Sequence, residues 1–312
     1  MIEPKCQTPC KAKGEEVLPR YVYKHRKPQR KHIHIRPLLI MLAVLMLLSY
    51  PFIEAGMLTI QEHTLYVTGL PANLKNIRIV YASDIHQSWW FSQKRVDNVF
   101  RTLNNLSADL IVLGGDYAMD SDSAVTFFET APRLHARLGV FAVPGNHDRT
   151  APESNLKLLS EAMKDAGVTP LVNSVARVKV GQSYLYVAGV DDSYNGFPDV
   201  AGVAAQVMKD DFVIFAGHSP ELLLDAQKAT DMYGDSHWFD LALFGHTHGG
   251  QINLFGYTPF KNTSDELSAR YLTGWLEENR AGILISNGVG TSVAPVRLFA
   301  QPQVHVITLK AR

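Results

Sequence analysis

Residues 77–86 read IRIVYASDIH, a run apolar at almost every position that stops at Asp84 and His86. A strand with one face in water alternates apolar and polar residues, so a nearly continuous apolar run marks a strand covered on both faces. The pattern recurs in DLIVLGGD (109–116), GVFAVPGNHD (139–148), DFVIFAGH (211–218) and LALFGHTH (241–248). After the first of these runs, SQKRVDNVFRTLNNL (92–106) has the period of an amphipathic helix. Further helices are expected around 122–137, around 153–166 and from Pro220, with short strands near 168–190 and late ones near 281–286, 295–300 and 303–309. Apolar strands alternating with helices predict a layered α/β sandwich.

The ends of the five runs carry the chemistry. They are Asp84 and His86; Asp116; Asn146, His147 and Asp148; His218; and His246 and His248, so five of the twelve histidines sit at strand ends. In open α/β sheets ligands bind beyond the carboxyl ends of the strands, where five such clusters can meet in one crevice. Carboxylate and amide oxygens with imidazoles and no thiolate suit Mn²⁺, Fe or Zn²⁺. The donors outnumber what one first-row ion can use, so two divalent metal ions sharing a carboxylate are the economical reading.

In order, spacing and context these clusters resemble the motifs D-x-H, G-D, G-N-H-D/E, H and G-H-x-H of the calcineurin-like metallophosphoesterases. The resemblance runs from Ile77 to the C-terminus. GHTHGGQI, GVDD and the ending GVGTSVAPVRLFAQPQVHVITL are similar to the membrane-associated bacterial phosphodiesterase branch. The resemblance implies a four-layer α/β/β/α sandwich. It implies a first metal on Asp84, His86, Asp116 and His248, and a second on Asp116, Asn146, His218 and His246, with Asp116 bridging and a hydroxide between the ions as nucleophile. It also implies that His147 protonates the leaving group or steadies phosphoryl charge, oriented by Asp148. Gly245, Gly249 and Gly250 would let the backbone turn around His246 and His248 and leave room for a phosphate.

Three local features leave alternatives open. Asp191 and Asp192 either support a ligand histidine or shape a loop. Trp89, Trp90 and Phe91 are either core residues or an apolar wedge at the mouth of the site that meets lipid. Asn287 stands where similar sequences frequently have Arg, which would remove one phosphate-facing cation.

The net charge of zero conceals an asymmetry. Residues 1–36 hold ten Lys/Arg against three Asp/Glu, about +7, and the remaining chain, 20 against 27, is about −7. The basic head is followed by uncharged PLLIMLAVLMLLSYPFI (37–53), which spans roughly 26 Å as a helix. A buried core helix would have a polar face, and a cleaved signal peptide would have a better small-x-small site than Ile53-Glu54-Ala55, so a retained transmembrane anchor is the favoured reading. The positive-inside rule then places the head in the cytoplasm and the body outside the cell membrane. The expected organisation is a basic head (1–36), an anchor (37–53), a juxtamembrane connector (54–75), whose alternation of apolar and polar residues predicts a strand or two ending at Leu70-Pro71, and a catalytic domain (76–312). Cys6 and Cys10 both fall in the head, so no disulfide frames the body. Its acidic balance argues against nucleic-acid binding.

The function expected is metal-dependent hydrolysis of a phosphate ester. GGDYAMDSD lacks the arginine that follows this motif in protein phosphatases, and GNHD ends in Asp148, which favours a phosphodiester, phospholipid-like or nucleotide-type, over a small monoester. A metal-free scaffold that binds a partner at the membrane is the other class, but it would show lost ligands and none is missing.

Overall fold

The computed structural model describes residues 35–151, 153–208, 210–259, 267 and 269–312. The basic head, with Cys6 and Cys10, lies outside the described residues save for Ile35 and Arg36. The chain divides into two units, Met1–Met46 and Leu47–Arg312.

Helix α1 (Ile35–Glu54) begins in the first unit and ends in the second. It is long and apolar enough to cross a membrane by length and composition, and almost none of its surface is buried.

The second unit is built on two six-stranded sheets. Its strands are β1 (Thr59–Val67), β2 (Arg78–Ala82), β3 (Leu110–Leu113), β4 (Val140–Ala142), β5 (Thr169–Pro170), β6 (Ser174–Val180), β7 (Ser183–Gly189), β8 (Phe212–Ala216), β9 (Leu241–Phe244), β10 (Gly274–Glu278), β11 (Ala281–Ile285) and β12 (Gln303–Ala311). One sheet has the order β1-β12-β2-β3-β4-β5 and the other β10-β11-β9-β8-β7-β6. The motif strands β2, β3 and β4 run parallel in the first, and β8 and β9 run parallel in the second. Helices α2 (Gln93–Asn105), α3 (Ser121–Thr130) and α4 (Glu153–Asp165) lie in the sequence between strands of the first sheet, and the short α5 (Val200–Ala204) and α6 (Leu222–Ala226) between strands of the second.

The continuous apolar runs are explained by burial on both faces. Ile79, Tyr81, Leu110 and Val112 share one cluster with Leu185, Val187, Leu241 and Leu243, so alternate residues of each sheet meet between the sheets. Val80, Ala82, Ile111 and Leu113 face the other way, onto Val96, Phe100 and Leu103 of α2 and Phe127 of α3. Ala242 and Phe244 face Val203 of α5 and Leu222 of α6. The result is the four-layer α/β/β/α sandwich. Truncating a central residue such as Ile79 to Ala would cost roughly 2–5 kcal/mol.

Several local expectations change. Residues 59–67, where a juxtamembrane strand is expected, do form a strand, β1, but it belongs to the first sheet, pairing in parallel with β12 over nine positions from Thr59↔Gln303 to Val67↔Ala311. The apolar stretch 295–300 forms no strand, because it folds around the fully buried Arg297, which bonds backbone carbonyls a strand would need for its ladder. The short β10 and α5 had no clear signature.

Candidate metal centre

All five clusters sit where predicted, just past the carboxyl ends of β2, β3, β4, β8 and β9, and they meet between the two sheets. Asp84, His86, Asp116, His246 and His248 all have positive φ, between 49° and 68°. Non-glycine residues pay of order 1 kcal/mol or more for this region, and Asp and His tolerate it better than most. The reversals are held by backbone bonds between loops: the His86 amide donates to Asp116 O at 3.0 Å, Gly245 to His218 O at 2.8 Å and Val289 to Ser83 O at 3.0 Å.

The side-chain donors form two groups joined by a third, His86, Asp116 and His147, that overlaps both. In the first, ligand atoms of Asp84, His86 and His248 lie within 4.8 Å of one another, and in the second so do those of Asp116, His218 and His246. His86 Nε2 is 3.1 Å from His248 Nε2, and His248 Nε2 is 3.6 Å from Asp84 Oδ1. In the second group His246 Nδ1 lies 2.9 Å from Asn146 Oδ1 and 3.3 Å from His218 Nε2. Asp116 joins the groups, with its Oδ2 3.4 Å from His86 Nε2 and 3.2 Å from His218 Nε2. The donor set, two carboxylates, one amide oxygen and four imidazoles, fits hard-to-borderline divalent cations. His86 Nε2 and His248 Nε2 face one another where at most one can carry the proton between them, and each group has the ligands that one cation would satisfy.

Burial sets the charge states. It pushes His86 down to about 3 and, reinforced by the charge on His218, His246 down to about 4. Both rings are therefore neutral near pH 7 with a lone pair to offer. Burial also opposes charge on Asp116 and His218, but each is the other's strongest counterion, so Asp116 is held well below the usual carboxylate range and His218 well above the usual imidazole range. A divalent ion entering the second group must displace that proton.

Two glycines set the backs of the carboxylates. A Cβ at Gly145 would come within 2.3 Å of Asp116 Oδ1, and one at Gly245 within 2.3 Å of Asp84 Oδ2. The room beside Gly245, Gly249 and Gly250, expected to admit phosphate, is instead filled by Asp84, Asn287 and Thr258.

His147 and Asp148 do not act on one another. The Asp148 carboxylate accepts the amides of Asp116 at 2.7 Å, Gly145 at 2.8 Å and Tyr117 at 3.1 Å, clamping the second and third motif turns together. The His147 ring is oriented by Met119, whose carbonyl is 2.9 Å from Nδ1 and must accept, and a ring nitrogen of His147 lies within 4.8 Å of ligand atoms of His86 and Asp116. His147 stands edge-on to His86 at 4.9 Å and is half-buried, whereas most of the metal-ligand candidates are fully buried.

The open alternatives resolve into supporting roles. Asp191 pairs with the buried Arg149 at 3.0 Å, and Asp192 accepts the amides of Tyr194 and Asn195. The turn they shape lays the Tyr194 ring on His246 at 4.7 Å and brings Asn195 Nδ2 to Asn146 O at 2.8 Å. Phe91 is buried, Trp90 is half-buried and Trp89 is exposed. A cation does stand beside Asn287. Arg297 donates to Asn287 O at 2.7 Å and to Ala300 O at 2.7 Å, and its Nη2 is 3.2 Å from His248 Nδ1. Burial pulls this guanidinium down to about 10, against the pull of Asp84 and Glu54. Arg297, Tyr194, Asn195 and Arg149 escape a reading of motifs because each acts through a backbone atom, a ring face or an ion pair.

The family model for calcineurin-like phosphoesterase matches residues 77–250. The uncharacterized metallophosphoesterase YkuE of Bacillus subtilis is 29% identical over 83% of this chain and 88% of its own length. Phosphodiesterase YaeI of Escherichia coli is 28% identical over 76% of this chain and 83% of its own. A Bos taurus transmembrane protein with metallophosphoesterase domain is 28% identical over 78% of this chain and 55% of its own. With its two-sheet fold, its convergent Asp, Asn and His ligand set and a family match over more than half its length, this chain belongs to the calcineurin-like phosphoesterases.

Proposed function

We propose that the chain is a membrane-anchored phosphodiesterase using two divalent metal ions, Mn²⁺, Fe or Zn²⁺. The observation that carries the reading is Asp116, whose Oδ2 lies within 3.4 Å of a histidine from each ligand group. Asp84, His86, Asp116 and His248 would hold one ion, and Asp116, Asn146, His218 and His246 the other. When bound, the ions supply Lewis acidity, lowering the pKa of water and neutralising phosphoryl charge.

The chain's own groups do the rest. Met119 accepts from His147 Nδ1 and holds the ring, so that Nε2 would donate to the leaving-group oxygen when the ring is the doubly protonated imidazolium. Asp148 fixes the turns that aim Asp116 and Asn146. Tyr194 and Asn195 cover one side of the second ligand group and limit access by bulk water.

A diester is favoured over a monoester because no arginine follows Asp116, and because a relative that matches three quarters of the chain is named a phosphodiesterase. We place the basic head in the cytoplasm, α1 across the cell membrane in a single pass, and the catalytic domain outside; no nucleic-acid partner is expected. With metal-replete protein, bis-nitrophenyl phosphate should be cleaved faster than the mono-ester, and Asp116→Ala or His246→Ala should remove turnover. Monoester preference would overturn the diester reading, and full activity in either variant would overturn the site.

A further inference from the structure

Exposed aromatic side chains from three distant parts of the sequence are tied to one place, the end of α1. The Arg297 amide donates to Pro51 O at 2.9 Å, and the Ala300 amide donates to Glu54 Oε1 at 2.9 Å. This fixes Phe299, which is 58% exposed, beside the last turn of the helix, where it lines a cavity of about 310 Å³ together with Tyr50 and Glu54. The segment Gln251–Asn253 bonds to Leu298 through Leu298 N to Gln251 O at 3.0 Å and Asn253 N to Leu298 O at 2.8 Å. That ribbon presents Phe255, 98% exposed, with its ring 5.9 Å from Phe299. On another side, Arg95 donates to Ala55 O at 2.8 Å and to Trp90 O at 3.3 Å, which brings up the loop carrying Trp89, 84% exposed. Phe52 and Ile53 on the helix itself are exposed too.

Large aromatics gathered around the end of an apolar helix form the kind of belt that membrane proteins place at the bilayer interface. The same ribbon begins at the metal loop. Phe255 is the seventh residue after His248, so the ligand candidate is at most about 25 Å from that aromatic along the chain.

We propose that Trp89, Phe255 and Phe299 dock the catalytic domain on the bilayer from which α1 emerges, and that the substrate is a phosphate diester carried by a lipid. The partner is the lipid surface. It is contacted by apolar insertion rather than by charge, because the body is net acidic. This rests on reading α1 as membrane-spanning and the metal centre as a phosphodiesterase.

The test uses the full chain with Cys6→Ser and Cys10→Ser, reconstituted in phosphatidylcholine vesicles. A polarity-sensitive fluorophore is attached at Phe255→Cys, at Phe299→Cys or, as a control, at Tyr233→Cys, an exposed ring in the turn leading into β9. Labels at 255 and 299 should shift to the blue and be quenched by nitroxide lipids, also at high salt, while the label at 233 should do neither. Labels at 255 and 299 as unquenched as the one at 233 would overturn the proposal. So would protection that grows only with the protein-to-lipid ratio, which would mean a second copy covers the patch. This readout needs no turnover, so an undocked rim and an inactive centre give different results. The double variant Phe255→Ser, Phe299→Ser should raise KM for a vesicle-borne diester at least about ten-fold relative to a soluble one, each aromatic supplying about that much partitioning. Equal loss on both substrates would overturn the lipid assignment.

Discussion

Asp148→Asn separates two accounts of the third motif. If the carboxylate clamps turns, the variant loses a specific set of bonds. Asn keeps one oxygen, so at most the two amides now on Oδ2, from Asp116 at 2.7 Å and Gly145 at 2.8 Å, retain a partner, and it is uncharged. The new NH₂ group then faces the Tyr117 amide, a buried donor left without an acceptor. Weakening two charge-assisted bonds and orphaning a third donor costs roughly 3–5 kcal/mol. At pH 9, above the value of about 8 to which burial and then Asp116 push this carboxyl, it is ionised, and part of the loss returns because Asn removes that buried anion. A net loss of roughly 2–4 kcal/mol remains, which in a domain of this size lowers Tm by roughly 5–15 °C. His147→Ala removes a half-buried ring and should leave Tm within a few degrees while lowering kcat about 10²–10⁴-fold. The assay is thermal unfolding of the detergent-solubilised chain, with kcat measured on both single variants and the double. An Asp148→Asn protein that melts like the wild type, and whose kcat defect vanishes in the His147→Ala background, would refute the clamp and restore an orienting role.

Other outcomes follow from the same geometry. Gly245→Ala should push the Asp84 carboxylate away from a methyl that would lie 2.3 Å from Oδ2, lowering kcat about 10²-fold with little change in soluble-substrate KM; steady-state kinetics check it. Apparent metal affinity should rise with pH, because His218, held protonated by Asp116 and Asp84, must shed a proton to become a ligand; calorimetric titration at several pH values tests this, and a flat profile contradicts it. Asp240, pushed up to about 7 by burial, should destabilise the fold as pH rises from about 4 to 7, since its folded pKa exceeds the unfolded one near 3.9. Asp240→Asn keeps an acceptor for the Val213 amide and should exceed the wild type in stability more at pH 8 than at pH 5.

What the sequence makes legible depends on how much a role constrains residue type. The strands β2, β3, β4, β8 and β9 announce themselves because burial on both faces leaves little choice but apolar side chains, as with Leu110, Ile111 and Val112. The ligand candidates are legible because only a few side chains coordinate a divalent cation. Pairings across long sequence separation are not. Nothing in Thr59–Val67 names Gln303–Ala311 as its neighbour, since that parallel pair is set by the packing of the whole sheet. The contacts of Asp148 are not legible although its position is plain, because adjacency to His147 in sequence does not decide which way a carboxylate turns. Arg297 stayed hidden for a similar reason. Its partners are mainly carbonyls, which every residue has.

The central claim is a dinuclear centre shared through Asp116. Metal content per chain, measured by elemental analysis of the purified full-length protein, tests it most directly. The account predicts two divalent transition-metal ions per wild-type chain and a clear deficit in Asp116→Ala. Wild-type protein that is active with one ion or none, or an Asp116→Ala protein that keeps two, would contradict it.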